Sequence, residues 1–139
     1  MMLVDVVIAT RGASHRLRAT IESIGKVDYP RDRFRVIVID NNETPEIAAT
    51  LAGVDAPLTV LHCATPGKSN ALNAAVPALQ GELIVFTDDD VAIDPNWLKA
   101  LVRAAEAQPD YDMFAGRSDP VWEREPPAGF AELVPMGST

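Results

Sequence analysis

Four short apolar runs, separated by stretches with a helical pattern, limit the possible folds more than any other feature of this chain. The runs cover residues 3–9, 34–39, 58–62 and 82–86, and they are rich in Val and Ile. Nearly continuous apolar runs of this length are typical of strands that are buried on both faces of a parallel sheet. Strands that alternate with helices predict a three-layer α/β/α structure with a mostly parallel sheet and right-handed crossovers.

Amphipathic helices are predicted after each of the four strands. Their starts are expected at Ser14, Thr44, Ser69 and Asp94, since Ser, Thr and Asp are favoured helix caps and Pro follows both Thr44 and Asp94. A fifth strand is expected at residues 113–115. The inner helix faces are expected to carry Leu17, Ile21 and Ile24, then Ile47 and Leu51, then Leu72, Ala75, Val76 and Leu79, and finally Trp97, Leu98, Leu101, Val102 and Ala105.

Size and charge narrow the class of protein. A chain of 139 residues with 47% hydrophobic content suits one compact domain. The net charge of −8 and the pI near 4.6 disfavour nonspecific binding of nucleic acid or anionic lipid. Cys63 is the only cysteine, which excludes an internal disulfide. The apolar start is too short for a signal peptide or membrane span, so a cytoplasmic protein, either free or peripheral at the inner face of the membrane, is expected.

Three consecutive carboxylates, Asp88, Asp89 and Asp90, follow directly after the fourth apolar run. Adjacent acids repel one another unless a cation or hydrogen-bond donors compensate. Ligation by oxygen atoms alone selects a hard cation such as Mg²⁺ or Mn²⁺. The alternative interpretation is an acidic loop that is solvated at the surface. The position after a buried strand favours a metal site for nucleotide phosphates, in which one or two carboxylates hold the ion.

Polar residues also follow the first and second strands. Ligands of open α/β sheets bind at the carboxyl ends of the strands, near the point where the strand order reverses. Thr10 and Arg11 end the first run, residues 40–42 end the second, and residues 88–90 end the fourth. If the spatial order of the strands is third, second, first, fourth, these three segments meet around one crevice.

Four separated segments resemble the nucleotide-sugar domain of glycosyltransferase family 2, which has the GT-A fold. The segments read VVIATR at 6–11, VIVIDNN at 36–42, PGKSNALNAA at 66–75, and FTDDD at 86–90 followed by DPNWL at 94–98. Each is a weak signal by itself, but their order and spacing together are specific. The resemblance covers most of the chain and implies a GT-A-like, Rossmann-like architecture.

The resemblance implies roles for the ends of the first two strands. Asp40 would accept hydrogen bonds from the base or ribose of the donor, a nucleoside diphosphate sugar whose nucleotide is UDP or GDP. Thr10 and Arg11 would line the same pocket, and Asn42 would bind the nucleotide sugar beside them. Asp40 and Asn42 also have a structural interpretation, since Asp and Asn are common at strand ends and in turns.

The resemblance also implies roles for the helix entry and the acidic triplet. Lys68 would meet the diphosphate with its charge, and Asn70 would steady that segment or the nucleotide. Asp88 would lie near the ribose, and Asp89 or Asp90 would lie near the Mn²⁺ or Mg²⁺ that bridges the diphosphate. Which of Asp89 and Asp90 ligates the metal directly stays open.

The implied activity is inverting transfer of a sugar to an unknown glycan or lipid-linked acceptor. Residues 1–118 are expected to form the nucleotide-sugar-binding domain, and residues 119–139 the start of an incomplete acceptor-side segment. The carboxylate base of the family lies in a later segment, so poor or absent transfer is expected from this chain alone. Two alternatives are a noncatalytic nucleotide-binding or assembly module and a sugar nucleotidyltransferase. An open sheet edge further predicts a homodimer.

Overall fold

The computed structural model describes residues 1–12 and 15–130, and its centre is a parallel sheet of four strands. The strands are β1 (Val4–Thr10), β2 (Phe34–Asp40), β3 (Leu58–His62) and β4 (Leu83–Phe86). Their spatial order is β3-β2-β1-β4, and every neighbouring pair is parallel. The order reverses beside β1, because the chain first moves outward to β3 and then returns to the other side for β4. This is the strand order that places the ends of β1, β2 and β4 around one crevice.

Four α-helices connect or follow the strands in the described part of the chain. They are α1 (His15–Ile24), α2 (Ala48–Leu51), α3 (Lys68–Ala75) and α4 (Trp97–Ala107). Short 3₁₀ turns precede β2 at Arg31–Arg33 and follow α3 at Val76–Ala78. The helix cap predicted at Ser14 lies outside the described residues.

Apolar side chains fill both faces of the sheet, as expected of strands that are covered on two sides. Alternate residues of β1 point to opposite faces, so Val6 and Ile8 pack with α1 and α4, whereas Val7 packs with α3. The predicted inner residues of α1 are fully buried, namely Leu17, Ile21 and Ile24. The predicted three-layer α/β/α arrangement is therefore confirmed.

The second and third helices differ from the predictions. The predicted start at Thr44 is wrong, because the N–H groups of Glu46 and Ile47 donate to the Asp40 carboxylate and α2 begins only at Ala48. The predicted inward position of Val76 is also wrong. Pro77 has no N–H for the next helical bond, so the chain tightens into a 3₁₀ turn and leaves Val76 57% exposed.

The fifth strand predicted at residues 113–115 is not present in the structure. These residues have no regular secondary structure, and Met113 is 88% exposed. A run of three apolar residues between Asp112 and Gly116 is at the lower limit of strand length, and it pairs with none of the four strands of the described sheet.

A buried ion pair braces the amino end of the sheet. Asp5 of β1 is fully buried, and the guanidinium of Arg35 on β2 donates to both of its carboxylate oxygens at 2.6–2.8 Å. The backbone N–H groups of Gln80 and Gly81 donate to the same carboxylate at 2.6 and 2.7 Å. A Cβ atom at Gly81 would lie 2.7 Å from the Asp5 nitrogen, so this close approach requires glycine.

Contacts divide the chain into two compact units, Met1–Arg103 and a second unit that begins at Ala104. The domain boundary predicted between residues 118 and 119 stays a prediction. In the second unit, Trp122 and Phe130 pack edge to face with their ring centroids 5.5 Å apart. Within residues 1–12 and 15–130, no helix has both the length and the apolar character needed to cross a membrane.

Candidate functional site

The carboxyl ends of β1, β2 and β3 lie level with one another. Thr10 pairs with Asp40, and Asp40 pairs with His62 in the next strand. The last residue of β4, Phe86, pairs with Val7, so residues 88–90 continue beyond the end of β4 alongside the end of β1. The polar segments predicted to meet thus lie together at the carboxyl ends of the strands.

Asp40 is 1% exposed and organises the loop that follows β2. Its Oδ1 accepts hydrogen bonds from the backbone and side chain of Asn42, and its Oδ2 accepts from Glu46 and Ile47, at 2.7–3.1 Å. Burial raises the pKa of Asp40, but these donors outweigh burial and hold the pKa below its ordinary value. Four donors from its own loop surround this carboxylate, and its predicted contact with a base or ribose stays a prediction.

Asn42 connects the loop after β2 to the turn after β1. Its Oδ1 accepts a hydrogen bond of 2.9 Å from the N–H of Gly12. Its own carbonyl oxygen accepts a 3.0 Å hydrogen bond from the His62 ring, which identifies Nε2 as a protonated nitrogen. Asn42 therefore holds the segment that carries Thr10 and Arg11.

Asn41 connects the same strand end to the loop between β3 and α3. Its Nδ2 donates to the carbonyl oxygens of Cys63 and Thr65, both at 2.7 Å. Its Oδ1 accepts a 3.0 Å hydrogen bond from the N–H of Gly67. Gly67 has a φ of +117°, a conformation that favours glycine, and it directly precedes Lys68.

Lys68 and Asp88 form an ion pair at the carboxyl end of the sheet. Lys68 is the first residue of α3, and its Nζ donates to Asp88 Oδ1. Both side chains are about three-fifths exposed, so the pair is accessible to solvent and to a ligand. A surface pair of this kind contributes little stability, at most about 1 kcal/mol, and its partners are free to exchange for a charged ligand.

Thr10 and Asp89 join the end of β1 to the acidic triplet. The Thr10 hydroxyl donates to Asp89 Oδ2, and Thr10 is itself buried. Asp89 is half-buried, whereas Asp90 is exposed. The three carboxylates therefore differ in their surroundings: one pairs with a cation, one accepts from a hydroxyl, and one faces solvent.

The oxygen atoms of the triplet suit a hard divalent ion, although they do not form a complete cage. Among residues 1–12 and 15–130, no group of three or more His, Cys, Asp or Glu side chains is placed to hold a metal. Mg²⁺ and Mn²⁺ sites for phosphates commonly use one or two carboxylates and take their other ligands from phosphate and water. Asp89 and Asp90 fit that arrangement.

The remaining predicted residues, Arg11 and Asn70, lie close in sequence to these contacts. Arg11 is exposed and forms no ion pair within the described residues. Asn70 Nδ2 donates to the carbonyl oxygen of Pro66 at 2.7 Å, which stabilises the first turn of α3. The steadying role predicted for Asn70 agrees with this bond, and nucleotide binding by either residue stays a prediction.

Sequence reasoning missed two residues of this network. Neither the apolar pattern nor the resemblance assigns a role to Asn41 or His62. The contacts of both depend on which strands are neighbours, since Asn41 reaches Gly67 and His62 reaches Asn42. The available signal was the run of two amides after a buried aspartate, which indicates polar side chains that need partners.

The chain matches the model of a known protein family over residues 5–128, and the family is described as glycosyl transferase family 2. Among curated relatives, the chain is similar to a beta-monoglucosyldiacylglycerol synthase of Nostoc sp., with 32% identity over 105 residues. That match covers 71% of this chain and 22% of the synthase.

Two solved structures have a similar fold. The mannosyltransferase PcManGT from Pyrobaculum calidifontis, in complex with GDP-Man and Mn²⁺, is 27% identical with a TM-score of 0.68. It matches 75% of this chain and 32% of its own. The S. aureus protein TarS 1-349, in complex with UDP-GlcNAc, is 25% identical with a TM-score of 0.61 over 76% of this chain and 31% of its own. The GT-A-like fold is therefore confirmed, and the chain spans less than a third of each of these proteins.

Proposed function

The chain belongs to glycosyltransferase family 2, and from this membership we propose that it is the donor-binding part of an inverting glycosyltransferase. In this proposal it binds a nucleoside diphosphate sugar with a divalent metal at the carboxyl ends of β1, β2 and β4. The acceptor is an unknown glycan or lipid-linked molecule. This proposed function is based on the arrangement of Thr10, Lys68 and the acidic triplet at the carboxyl end of the sheet.

The observation that carries the proposal is the pair of contacts between the triplet and two distant segments. Lys68 lies 20 residues from Asp88 in the chain, and Thr10 lies 79 residues from Asp89, yet each pair is in hydrogen-bond contact. A lysine at a helix start supplies a positive charge for a diphosphate, and it stands directly beside carboxylates that suit a divalent ion. A cation beside a group of three carboxylates matches the charges of a metal–diphosphate complex.

The solved neighbours support the donor class. One binds GDP-Man with Mn²⁺ and the other binds UDP-GlcNAc, so both carry a nucleoside diphosphate sugar on a similar fold. We extend that class of ligand to this chain because the contacts described above lie at the sheet edge where α/β folds bind ligands. Both UDP and GDP are therefore candidates for the nucleotide.

The metal would be held by Asp89 and Asp90, with Asp88 beside the ribose once Lys68 turns to the diphosphate. Mn²⁺ or Mg²⁺ supplies charge neutralisation of the departing diphosphate, which is worth several kcal/mol of transition-state stabilisation. Lys68 adds a second positive charge on the same leaving group. Thr10 keeps the Asp89 carboxylate oriented through its hydroxyl.

Inversion follows from a single displacement. The acceptor hydroxyl oxygen forms a bond to the anomeric carbon while the bond from that carbon to the diphosphate oxygen breaks. A carboxylate base takes the proton of the hydroxyl, and the diphosphate leaves with the electron pair of the broken bond. None of the described carboxylates is assigned as that base.

The cytoplasmic or membrane-peripheral location expected from the sequence stays a prediction.

Isothermal titration of UDP and GDP into the protein, with and without Mn²⁺, tests the proposal. We expect one of the two nucleotides to bind in a metal-dependent manner. The triple variant Asp88→Asn, Asp89→Asn and Asp90→Asn should lose this binding, because it removes the negative charge that holds the ion.

A matched control removes the same charge elsewhere on the surface. The variant Asp32→Asn, Asp55→Asn and Asp110→Asn changes three exposed aspartates. This control should bind the nucleotide like the unsubstituted protein. Equal loss in both triple variants would show that net charge governs binding, and no nucleotide binding by the unsubstituted protein would refute the proposed function.

A further inference from the structure

We infer that Asn41 is a positioning residue for Lys68, and that it sets the diphosphate affinity of the site without touching the nucleotide. This inference rests on the proposed function. It assigns a role to a residue that neither the sequence pattern nor the resemblance had singled out. Three hydrogen bonds converge on the side-chain amide of Asn41 and connect the end of β2 to the segment that leads to Lys68.

Both donor hydrogens and one acceptor position of the Asn41 amide are used within the chain. The two hydrogens of its Nδ2 account for the donations to Cys63 and Thr65, and its Oδ1 accepts from Gly67. Asn41 is 5% exposed, so solvent cannot replace these partners easily. A side chain in this state acts through the loop that it holds and not through direct contact with a ligand.

The loop held by Asn41 leads directly into α3. The three bonds fix the chain at Cys63, Thr65 and Gly67, which are alternate residues of a segment without regular secondary structure. Gly67 is the residue that precedes the helix, and the carbonyl oxygen of Gly67 accepts the helical bond from Ala71. The direction in which Lys68 leaves the sheet edge therefore depends on the backbone that Asn41 fixes.

The backbone at Gly67 has a conformation that residues other than glycine rarely adopt. Its φ of +117° and ψ of 137° lie in a region that is almost restricted to glycine, which has high conformational freedom in the unfolded chain. Without the bond to Asn41 Oδ1, this N–H loses its partner and the glycine can relax to other conformations. Lys68 would then sample several positions, and ordering it on a diphosphate would cost free energy at each binding event.

A double-mutant cycle in Mn²⁺ tests this coupling by isothermal titration with UDP and GDP. The variants are Asn41→Leu, which removes all three bonds at similar volume, Lys68→Met, and the double variant. We expect each single variant to lose about 10-fold in affinity, since a hydrogen bond or charge contact contributes about 1.4 kcal/mol. The double variant should bind no more weakly than Lys68→Met. The exposed Asn96→Leu on the segment before α4 is the matched control and should bind normally.

Multiplying losses, about 100-fold in the double variant, would show that Asn41 acts independently of Lys68 and would overturn the inference. Normal binding by Asn41→Leu would overturn it as well. If Asn41→Leu does not fold, Gly67→Ala disturbs the same loop from its other side, because alanine is strained at this φ. Gly67→Ala should likewise show no further loss when it is combined with Lys68→Met, and multiplying losses there would overturn the inference.

Amide hydrogen exchange separates this inference from the proposed function, since it needs no nucleotide. In Asn41→Leu, peptides that cover residues 63–68 should exchange about 10-fold faster, whereas peptides of α1 should be unchanged. Unchanged exchange at residues 63–68 would overturn the bracing role. If the unsubstituted protein binds neither UDP nor GDP, the proposed function fails, and the exchange result still supports or overturns the bracing of the loop by Asn41.

Discussion

At the scale of single residues, the chain buries several polar side chains and gives each of them partners. Asp5, Asp40 and Asn41 are at least 95% buried, and no buried side-chain nitrogen or oxygen within the described residues lacks a hydrogen bond. A buried polar group without a partner costs about 1–3 kcal/mol, so each of these networks constrains its surroundings strongly. Asp5 acts at the amino end of the sheet, whereas the other two act at the end that carries the candidate site.

Replacement of Asp5 tests the brace at the amino end. Asp5→Asn should lower the free energy of unfolding by about 3 kcal/mol, because it leaves the Arg35 guanidinium without its counter-charge. Asp55→Asn is the matched control, since Asp55 also pairs with an arginine but is almost fully exposed. Urea denaturation monitored by circular dichroism measures both effects. Equal destabilisation by the two variants would contradict the account.

The same carboxylates predict the acid sensitivity of the fold. Burial raises the pKa of Asp5, but the hydrogen bonds from Arg35, Gln80 and Gly81 lower it below the ordinary value of 3.8, as the donors around Asp40 do for that residue. A pKa that is lower in the folded state gives stability that is complete above the unfolded value and is lost as the pH falls through the folded value. Urea midpoints should therefore be constant near neutrality and fall below about pH 4. A constant midpoint down to pH 3 would contradict this.

At the scale of elements, α3 joins the core to the candidate site. It packs on the sheet through Ala71 and Ala75, two fully buried small residues on one helical face. Small side chains allow the helix axis to lie close to β1 and β2. Its first residue, Lys68, then reaches the acidic loop that follows β4. The packing of α3 therefore determines where Lys68 lies relative to the carboxyl ends of the strands.

Two substitutions in α3 and the turn after it test this packing. Ala71→Val should lower the free energy of unfolding by about 1–3 kcal/mol, because extra methyl groups enter a filled space. Val76→Ala, at a position that is mostly exposed, should change it by less than about 0.5 kcal/mol. Thermal denaturation of both variants is the measurement. The prediction fails if Val76→Ala is the more damaging change.

The sequence predicted the elements that depend on local pattern and missed those that depend on tertiary contacts. The four strands and the inner face of α1 followed from apolar runs and from helical spacing, whereas the order of the strands entered only as a condition that the structure then met. The start of α2 could not be predicted locally, because the donors of Glu46 and Ile47 are taken by Asp40 from the preceding strand. The contacts of Thr10 and Lys68 with the triplet needed the strand order, whereas the role of Asn41 needed the actual path of the loop.

At the scale of the whole molecule, the contacts of the candidate site lie at the carboxyl ends of the strands, whereas the Asp5–Arg35 ion pair lies at their amino ends. The sheet itself has two outer strands, β3 and β4, and Phe86 of β4 is largely exposed. Outer strands offer unpaired backbone groups to another chain. The homodimer predicted from the sequence stays a prediction, and light scattering on the purified protein would decide it.

We propose that residues at the ends of β1 and β4 and at the start of α3 form a single site for a metal and a nucleoside diphosphate. Paramagnetic broadening by Mn²⁺ in ¹H–¹⁵N spectra, with UDP or GDP present and with Mg²⁺ as the diamagnetic reference, tests this claim most directly. The amide signals of residues 88–91, Gly67 and Lys68 should broaden first. This broadening should be strong only when the nucleotide is present. Amides at the amino ends of the strands, such as Phe34, should stay sharp. Broadening centred elsewhere, or unaffected by nucleotide, would contradict the account.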